Sequence, residues 1–286
     1  MQWGCFVLHR QYRQSTQPDL PFENNYRLYL QSRLGTTPTF VGIIQHHVRQ
    51  FIASGTIADF RALQSGTALL DTDEQCSAYL AAYGDMHRLK LDSAFEALFA
   101  GTGKLTAGIE VVDWGCGQGM ASGVLLDYIR QHRIGMNIRR FTLIEPAKLT
   151  LSRAVDHLSV LSEGSAVIKA LHDKADKVSP SLLVTNPEAV KIHLFSNLLD
   201  MFEVDHQAIA HRIIASQRGL NLFVCVSPAI ADFRNQRLRA FRDQFLRAKT
   251  LSQRTDSFQG NVFRIYKKAY EPYSVKRTEC ICSVQL

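Results

Sequence analysis

From residue 109 onward the chain repeats one pattern: a short apolar run, then a segment whose apolar residues recur every three or four positions. The runs are IEVVDWG (109–115), RRFTLIEP (139–146), SAVIKALHD (165–173), AVKIHLFSNLLD (189–200) and NLFVCVSPA (221–229). Between them lie SGVLLDYIR (122–130), AKLTLSRAVDHLSVL (147–161) and VDHQAIAHRII (204–214), each with one apolar face at helical spacing. Runs of four to eight residues suit strands, and near-continuous apolarity requires cover on both faces. Strand and helix in strict alternation predict an α/β fold built on a parallel sheet. A basic helix over 232–248 follows, and NVFRIYKKAY (261–270) and a segment near 274–284 read as closing strands.

The first 108 residues have a different period. Residues 1–35 include a polar, proline-containing stretch, QSTQPDLPFENN, that reads as an extended arm. Thr37-Pro38 reads as an N-cap followed by the first helical residue. Phe40, Ile43, Ile44, Val48, Phe51 and Ile52 then form one stripe, with Gly55 as the stop. A shorter helix is expected over 57–64. Thr72-x-x-Gln75 has the form of a capping box. The helix it opens carries Cys76, Tyr79, Leu80, Tyr83 and Met86 on one stripe, a second helical segment runs to Phe99, and GTGKLTAG (101–108) reads as a linker. The organisation expected is a helical N-terminal region, 1–108, followed by an α/β domain, 109–286.

Charge is uneven along the chain. Of the net +7, residues 1–108 contribute nothing, with 9 basic and 9 acidic residues. Residues 234–277 hold 12 basic residues against 3 acidic ones. Such an excess suits an anionic partner such as RNA, and equally a solvated helix face and strand. No apolar run approaches the ~20 residues of a membrane span. The start, MQWGCFVLHRQ, lacks the basic region and small-residue site of a signal peptide, so a cytosolic protein without membrane contact is expected. The six cysteines have no zinc-ligand spacing and are expected as free thiols.

The segment that joins the first strand to the first helix is Asp113-Trp114-Gly115-Cys116-Gly117-Gln118-Gly119. Open parallel sheets bind ligands outside the carboxyl ends of their strands, and glycines there let backbone approach a ligand closely. The spacing is G-x-G-x-G, with Met120 where a dinucleotide loop needs its third glycine, and no Gly-Lys-Ser/Thr follows. This segment resembles the first motif of class I S-adenosylmethionine (SAM) dependent methyltransferases. The resemblance covers roughly 109–270 and implies a Rossmann-like fold with helices on both faces and an antiparallel closing strand. It implies SAM as cofactor, held by the loop residues Asp113, Gly115, Cys116, Gly117 and Gly119 and by Glu145. Glu145 ends the second strand, where the family places an acid on the ribose hydroxyls. After strand three, Asp173 or Asp176 is placed to accept from the adenine amino group; either is equally a solvated turn acid. Strand four ends in Ser196-Asn197, where the family places polar residues at the methyl acceptor, so these two are the candidate catalytic residues.

The chemistry implied is methyl transfer to a nitrogen, oxygen or carbon nucleophile, in which alignment and exclusion of water matter more than a dedicated base. Asn/Asp-Pro-Pro-aromatic and Pro-Cys, the marks of base-amino and cytosine-C5 methylation, are absent; Thr185-Asn186-Pro187-Glu188 reads as a turn. Within this family the N-terminal helices would act as a lid or a substrate-selecting cap. RNA, through 234–277, is the first acceptor expected, a small metabolite the second, a protein the third. A scaffold that binds SAM without turnover is the alternative outside enzymology. His193 is expected as a hydrogen-bonded structural histidine, Asp200 as a base or a helix cap, and Tyr79 and Tyr83 as core or site lining. His46-His47 and His206/His211 lack the spacing of a metal pair.

Overall fold

The computed structural model describes residues 24–66, 68–103, 105 and 108–286. Most of the expected extended arm lies outside these residues, and its end is instead the start of helix α1, Asn24–Leu34. Helix α2, Phe40–Ser54, is capped two residues later than Thr37-Pro38 suggests: Thr39 has extended backbone and its Oγ1 accepts from the Gly42 N–H (3.0 Å). Helix α3 is Ile57–Ala62, opened by a Thr56/Asp59 capping box. The Thr72/Gln75 capping box forms as expected, but the helix it opens, α4, is continuous over Asp73–Thr102 and takes in the expected second segment and the start of the linker. Nothing within those 30 residues breaks it, since no proline occurs and Gly84 is tolerated where its missing side chain admits Ile44.

The remainder is a seven-stranded sheet in the order β3-β2-β1-β4-β5-β7-β6. Strands β1 (Ile109–Trp114), β2 (Ile138–Ile144), β3 (Val167–Leu171), β4 (Val190–Ser196) and β5 (Leu220–Ser227) are mutually parallel. Helices α5 (Met120–Gln131), α6 (Lys148–Leu161) and α7 (His206–Ser216) make three of the four parallel crossovers, and a loop with one short 3-10 turn, Pro180–Leu182, joins β3 to β4. Helix α8 is Asp232–Arg242, shorter than the basic stretch predicts. Strands β6 (Lys249–Arg264) and β7 (Ala269–Gln285) form one long antiparallel hairpin, with β7 antiparallel to β5. The closing strands are thus longer than expected, and Tyr266, Lys267 and Lys268 lie in their turn rather than in a strand.

Alternate residues of each strand feed opposite faces, as a period of two requires. Val111, Phe141, Leu143, Ile192, Leu194 and Val224 join α2, α4, α5 and α6 in one apolar cluster that reaches from Phe40 to Ile281. Val112, Trp114, Ile144, Phe195, Phe223 and Cys225 join α7 and α8 in the other. Helix α4 is fused to the edge strand: the buried Asp85 accepts from the Phe263 N–H (3.0 Å), Leu89 packs over Gly260, and Arg254 donates to Ser93. Chain order reverses between β1 and β4, which opens a crevice at their carboxyl ends. Cys76, Cys116, Cys225, Cys280 and Cys282 are buried free thiols. Among the described residues no helix is long and apolar enough to cross a membrane.

Candidate functional site

The glycine loop occupies that crevice. Gly115, Gly117 and Gly119 all have positive φ, at 62°, 51° and 75°. Their surroundings differ. A Cβ at Gly119 would sit 3.1 Å from Ala154 Cβ, and one at Gly115 would meet the Leu198 side chain at 2.9 Å. A Cβ at Gly117 would meet nothing within 4 Å. Gly119 therefore serves the approach of α5 to α6, whereas Gly117 leaves backbone open to a ligand.

Glu145 reaches this loop from the end of β2. Its Oε2 accepts from the Gly117 N–H (2.9 Å) and its Oε1 from the Ala147 N–H (2.9 Å). Burial pushes its carboxyl up from the usual range, and these donors oppose the shift. The two halves of the expected cofactor motif, 28 residues apart, are thus in direct contact. Asp113 is turned away from the opening. Its Oδ2 accepts from the Ser122 N–H (3.2 Å) and Oγ (2.7 Å), so it ties the loop to the first turn of α5. Burial raises its carboxyl to about 7. The Cys116 N–H donates to the Ile144 carbonyl (3.0 Å), and its thiol is buried and pushed far up. Asp173 is half-buried with Oδ1 accepting from the Lys174 N–H, while Asp176 is buried.

Ser196 and Asn197 reach the carboxyl edge of β4 and stay partly accessible. Asn197 has φ 55°, a left-handed conformation that asparagine tolerates. It caps no helix: β4 runs into a loop, and Asp205 caps α7 through the Ala208 N–H. Its side chain is held from α4. Lys90 Nζ donates to Asn197 Oδ1 (2.8 Å), and Asn197 Nδ2 lies 3.3 Å from both Ser196 Oγ and His87 Nδ1. Lys90 is buried, and desolvation lowers it to about 7 against the opposing charge of Asp200. Asp200 caps no helix; it accepts from Ser227 Oγ (2.8 Å) and lies 3.8 Å from Arg234.

His87 belongs to a row on α4. Tyr79, Tyr83 and His87 recur every four residues and so share a face. Tyr79 and Tyr83 have ring centroids 5.3 Å apart, and Tyr83 and His87 are stacked at 5.9 Å. All three remain partly accessible, so they line the cleft rather than only filling the core. The charge of Glu145 adds to burial in pushing the Tyr79 hydroxyl up. The row therefore runs from the Glu145 end of the cleft to the Asn197 end. Lys90 and His87 are the site residues that the sequence does not single out. The signal for His87 is the four-residue spacing that continues past Tyr83; Lys90, three residues further on, falls off that spacing.

Other candidates fall elsewhere. His193 is fully buried, bonded to Trp114 Nε1 (3.2 Å) and Asn221 Oδ1 (3.0 Å), and burial lowers it to about 4. A cavity of about 460 Å³ opens beside Ala147, between the start of α6 and Tyr26, Leu70 and Asp71; no glycine-loop residue lines it. Many cations of 234–277 engage this chain. Arg237 donates to the Leu199, Met201 and Val204 carbonyls. Arg242 pairs with Asp243, Arg254 with Glu279, Arg277 with Asp256, and Arg264 and Lys267 with Glu271.

No family model and no curated protein matches the chain. Solved structures do. One is the plantazolicin methyltransferase BpumL in complex with SAH, at 12% identity, 85% of this chain, 100% of that one and a TM-score of 0.46. Another is magnesium protoporphyrin IX methyltransferase from Synechocystis PCC 6803 with bound SAM, at 12% identity, 83% and 96% coverage and a TM-score of 0.39. Both are methyltransferases. Each is a distant likeness.

Proposed function

We propose that the protein is a SAM-dependent methyltransferase whose acceptor sits between α4 and the carboxyl end of β4. The observation that carries this reading is the Gly117–Glu145 contact beneath open space. The residues fit the cofactor: Gly117 offers unobstructed backbone, and Glu145 offers a carboxylate that accepts from two ribose hydroxyls once it exchanges its present donors. SAM, when bound, supplies a methyl group on a sulfonium, already a good leaving system. The protein's part is to hold and orient. Asp113 and Gly119 keep the loop on α5 and α6, and Glu145 joins loop to β2. Ser196 and Asn197 present one hydroxyl and one amide at the acceptor side, and α4 shields them from water. Residues 1–108 act in this reading as a cap over the 109–286 domain.

The acceptor we favour is a small molecule. RNA is the weaker reading, because many of the cations that motivated it hold carbonyls and carboxylates of this chain. Calorimetry with S-adenosylhomocysteine (SAH) and with NAD tests the core of the proposal. SAH binding without NAD binding is expected; the reverse overturns it. Transfer of labelled methyl to the small-molecule pool of a cell extract, and not to its RNA, tests the acceptor class. Binding without any transfer would favour a SAM-binding scaffold.

A further inference from the structure

The cavity of about 460 Å³ beside α6 is lined neither by the glycine loop nor by the Tyr79–His87 row. Its size is that of a small-molecule pocket. Its walls are mainly apolar, with Leu69 and Leu70 from the segment before α4, Ala147 and Leu149 from the start of α6, and Tyr26 from α1. The Tyr26 ring is fixed: the Arg153 guanidinium lies 3.6 Å from its centroid, and its hydroxyl meets His47 and His157. The inner charges are matched within the chain. Arg153 pairs with Asp73, and Asp156 with Arg27 (3.0 Å).

One inner group is left over. Ser152 lines the cavity and is only 8% exposed, yet among the described residues its hydroxyl has no hydrogen-bond partner and is not sealed off. Thr150 and Ser159 on the same helix bond the Ala147 and Val155 carbonyls; Ser152 bonds none. A hydroxyl this deeply placed is stabilised when something in the cavity meets it. The rim carries two exposed ions of opposite sign, Asp71 and Lys148, and neither charged group has a partner among the described residues. Lys148 and Ser152 are one turn apart on one face of α6, so the rim and the inner hydroxyl are about 6 Å apart along the helix.

We propose that this cavity binds a zwitterionic aromatic amino acid that carries a ring hydroxyl. Its ring lies among the leucines, its hydroxyl meets Ser152 Oγ, its carboxylate faces Lys148 and its ammonium faces Asp71. The unlike pair at the rim selects against net charge, because an anion meets Asp71 and a cation meets Lys148 without compensation. The site is separate from the cofactor and acceptor clefts and does not rest on the methyltransferase reading. It adjoins the proposed cofactor site at Ala147, whose N–H donates to Glu145 Oε1 (2.9 Å).

The probe is radiolabelled L-tyrosine, measured by equilibrium dialysis against the full-length protein, first alone and then with saturating SAH. Saturable binding is expected in both, with no displacement by SAH. L-phenylalanine is expected to bind roughly 3- to 10-fold more weakly, because it leaves Ser152 unmet. Tyramine, which lacks the carboxylate, and hydroxyphenylpropionate, which lacks the ammonium, are each expected to bind roughly 3-fold or more weakly, as for exposed ion pairs. Ser152→Ala is expected to erase the preference for tyrosine over phenylalanine with melting temperature retained. Leu149→Trp, which fills the cavity, is expected to weaken tyrosine roughly 10-fold or more. No saturable binding at about 1 mM would overturn the proposal. So would displacement by SAH, a singly charged analogue that binds as tightly as tyrosine, or a tyrosine preference that survives in Ser152→Ala. The titration without SAH is read independently of the methyltransferase proposal.

Discussion

At the scale of single residues, the proposed function assigns the cofactor and acceptor roles to two positions at strand ends, and each has its own test. Glu145→Ala removes charge-assisted hydrogen bonds to the ribose, and SAH affinity measured by calorimetry should fall by about 1.5–3 kcal/mol. An unchanged affinity would place the ribose contact elsewhere. Asn197→Ala should leave SAH affinity nearly unchanged and slow methyl transfer by roughly 10²-fold, through lost alignment of the acceptor. It should also cost about 1–3 kcal/mol of stability, because Lys90 Nζ loses its acceptor in a buried place. The double variant Lys90→Met/Asn197→Ala separates the two effects. Urea denaturation should show stability recovered except for the cost of alanine at φ 55°, and turnover assays should show transfer still slow. If transfer recovers as well, Asn197 only satisfies Lys90.

At the scale of elements, the three loop glycines are alike in sequence but not in consequence. Gly117→Val puts a branched side chain into the open space above the loop at φ 51°. The fold should survive with a loss of about 1–3 kcal/mol for the strained backbone, and SAH binding should vanish. Gly119→Val places its branches against Ala154, where Cβ alone already approaches to 3.1 Å and backbone Cα to 3.2 Å. That variant should lose clearly more stability than Gly117→Val in the same denaturation assay, since α5 must move off α6. Equal losses would mean that both positions face open space. Strong binding of SAH by Gly117→Val would remove the loop from the cofactor site.

At the scale of the whole molecule, the N-terminal helices and the glycine loop share one buried polar chain. His157 Nδ1 meets the Gln118 carbonyl (2.8 Å), its Nε2 meets the Tyr26 hydroxyl (2.8 Å), and that hydroxyl meets His47 Nε2 (3.1 Å). Burial lowers His157 to about 3 and His47 well below its ordinary value; the neighbouring Arg153 pushes both the same way. A histidine held neutral in the folded state binds fewer protons than its unfolded counterpart once the pH falls below about 6.5, so its contribution to stability is lost on acidification from there toward pH 3. His157→Gln has no such group. Between pH 7.5 and 5.5, the stability of wild type relative to the variant should therefore fall by about 1.4 kcal/mol, read from urea midpoints. A constant difference across that interval would show that His157 titrates normally in the folded protein.

The strand–loop–helix unit from 109 to 130, the acid at 145 and the Ser196-Asn197 strand end were legible because each is set locally. A six-residue apolar run, alternate glycines and a helical stripe dictate their own conformations, and right-handed crossovers then bring strand ends to one edge. The capping box at Thr72 is local in the same way. The start of α1 was missed because its polar composition gives no stripe. The continuity of α4 and the length of the β6–β7 hairpin were not legible, because each depends on the other: Asp85, Leu89 and Ser93 meet strand residues more than 160 positions away. The role of Asp113 inside the loop rather than at its opening needed the position of Ser122 in space. Tyr79 and Tyr83 read equally as core in one dimension, since a stripe does not say which neighbour it faces. The Lys90–Asn197 bond joins residues 107 positions apart. Only the packing of α4 across the sheet edge decides that a lysine on one helix sets the amide at the end of the fourth strand, because hydrogen-bond direction is a property of positions in space and not of spacing along the chain.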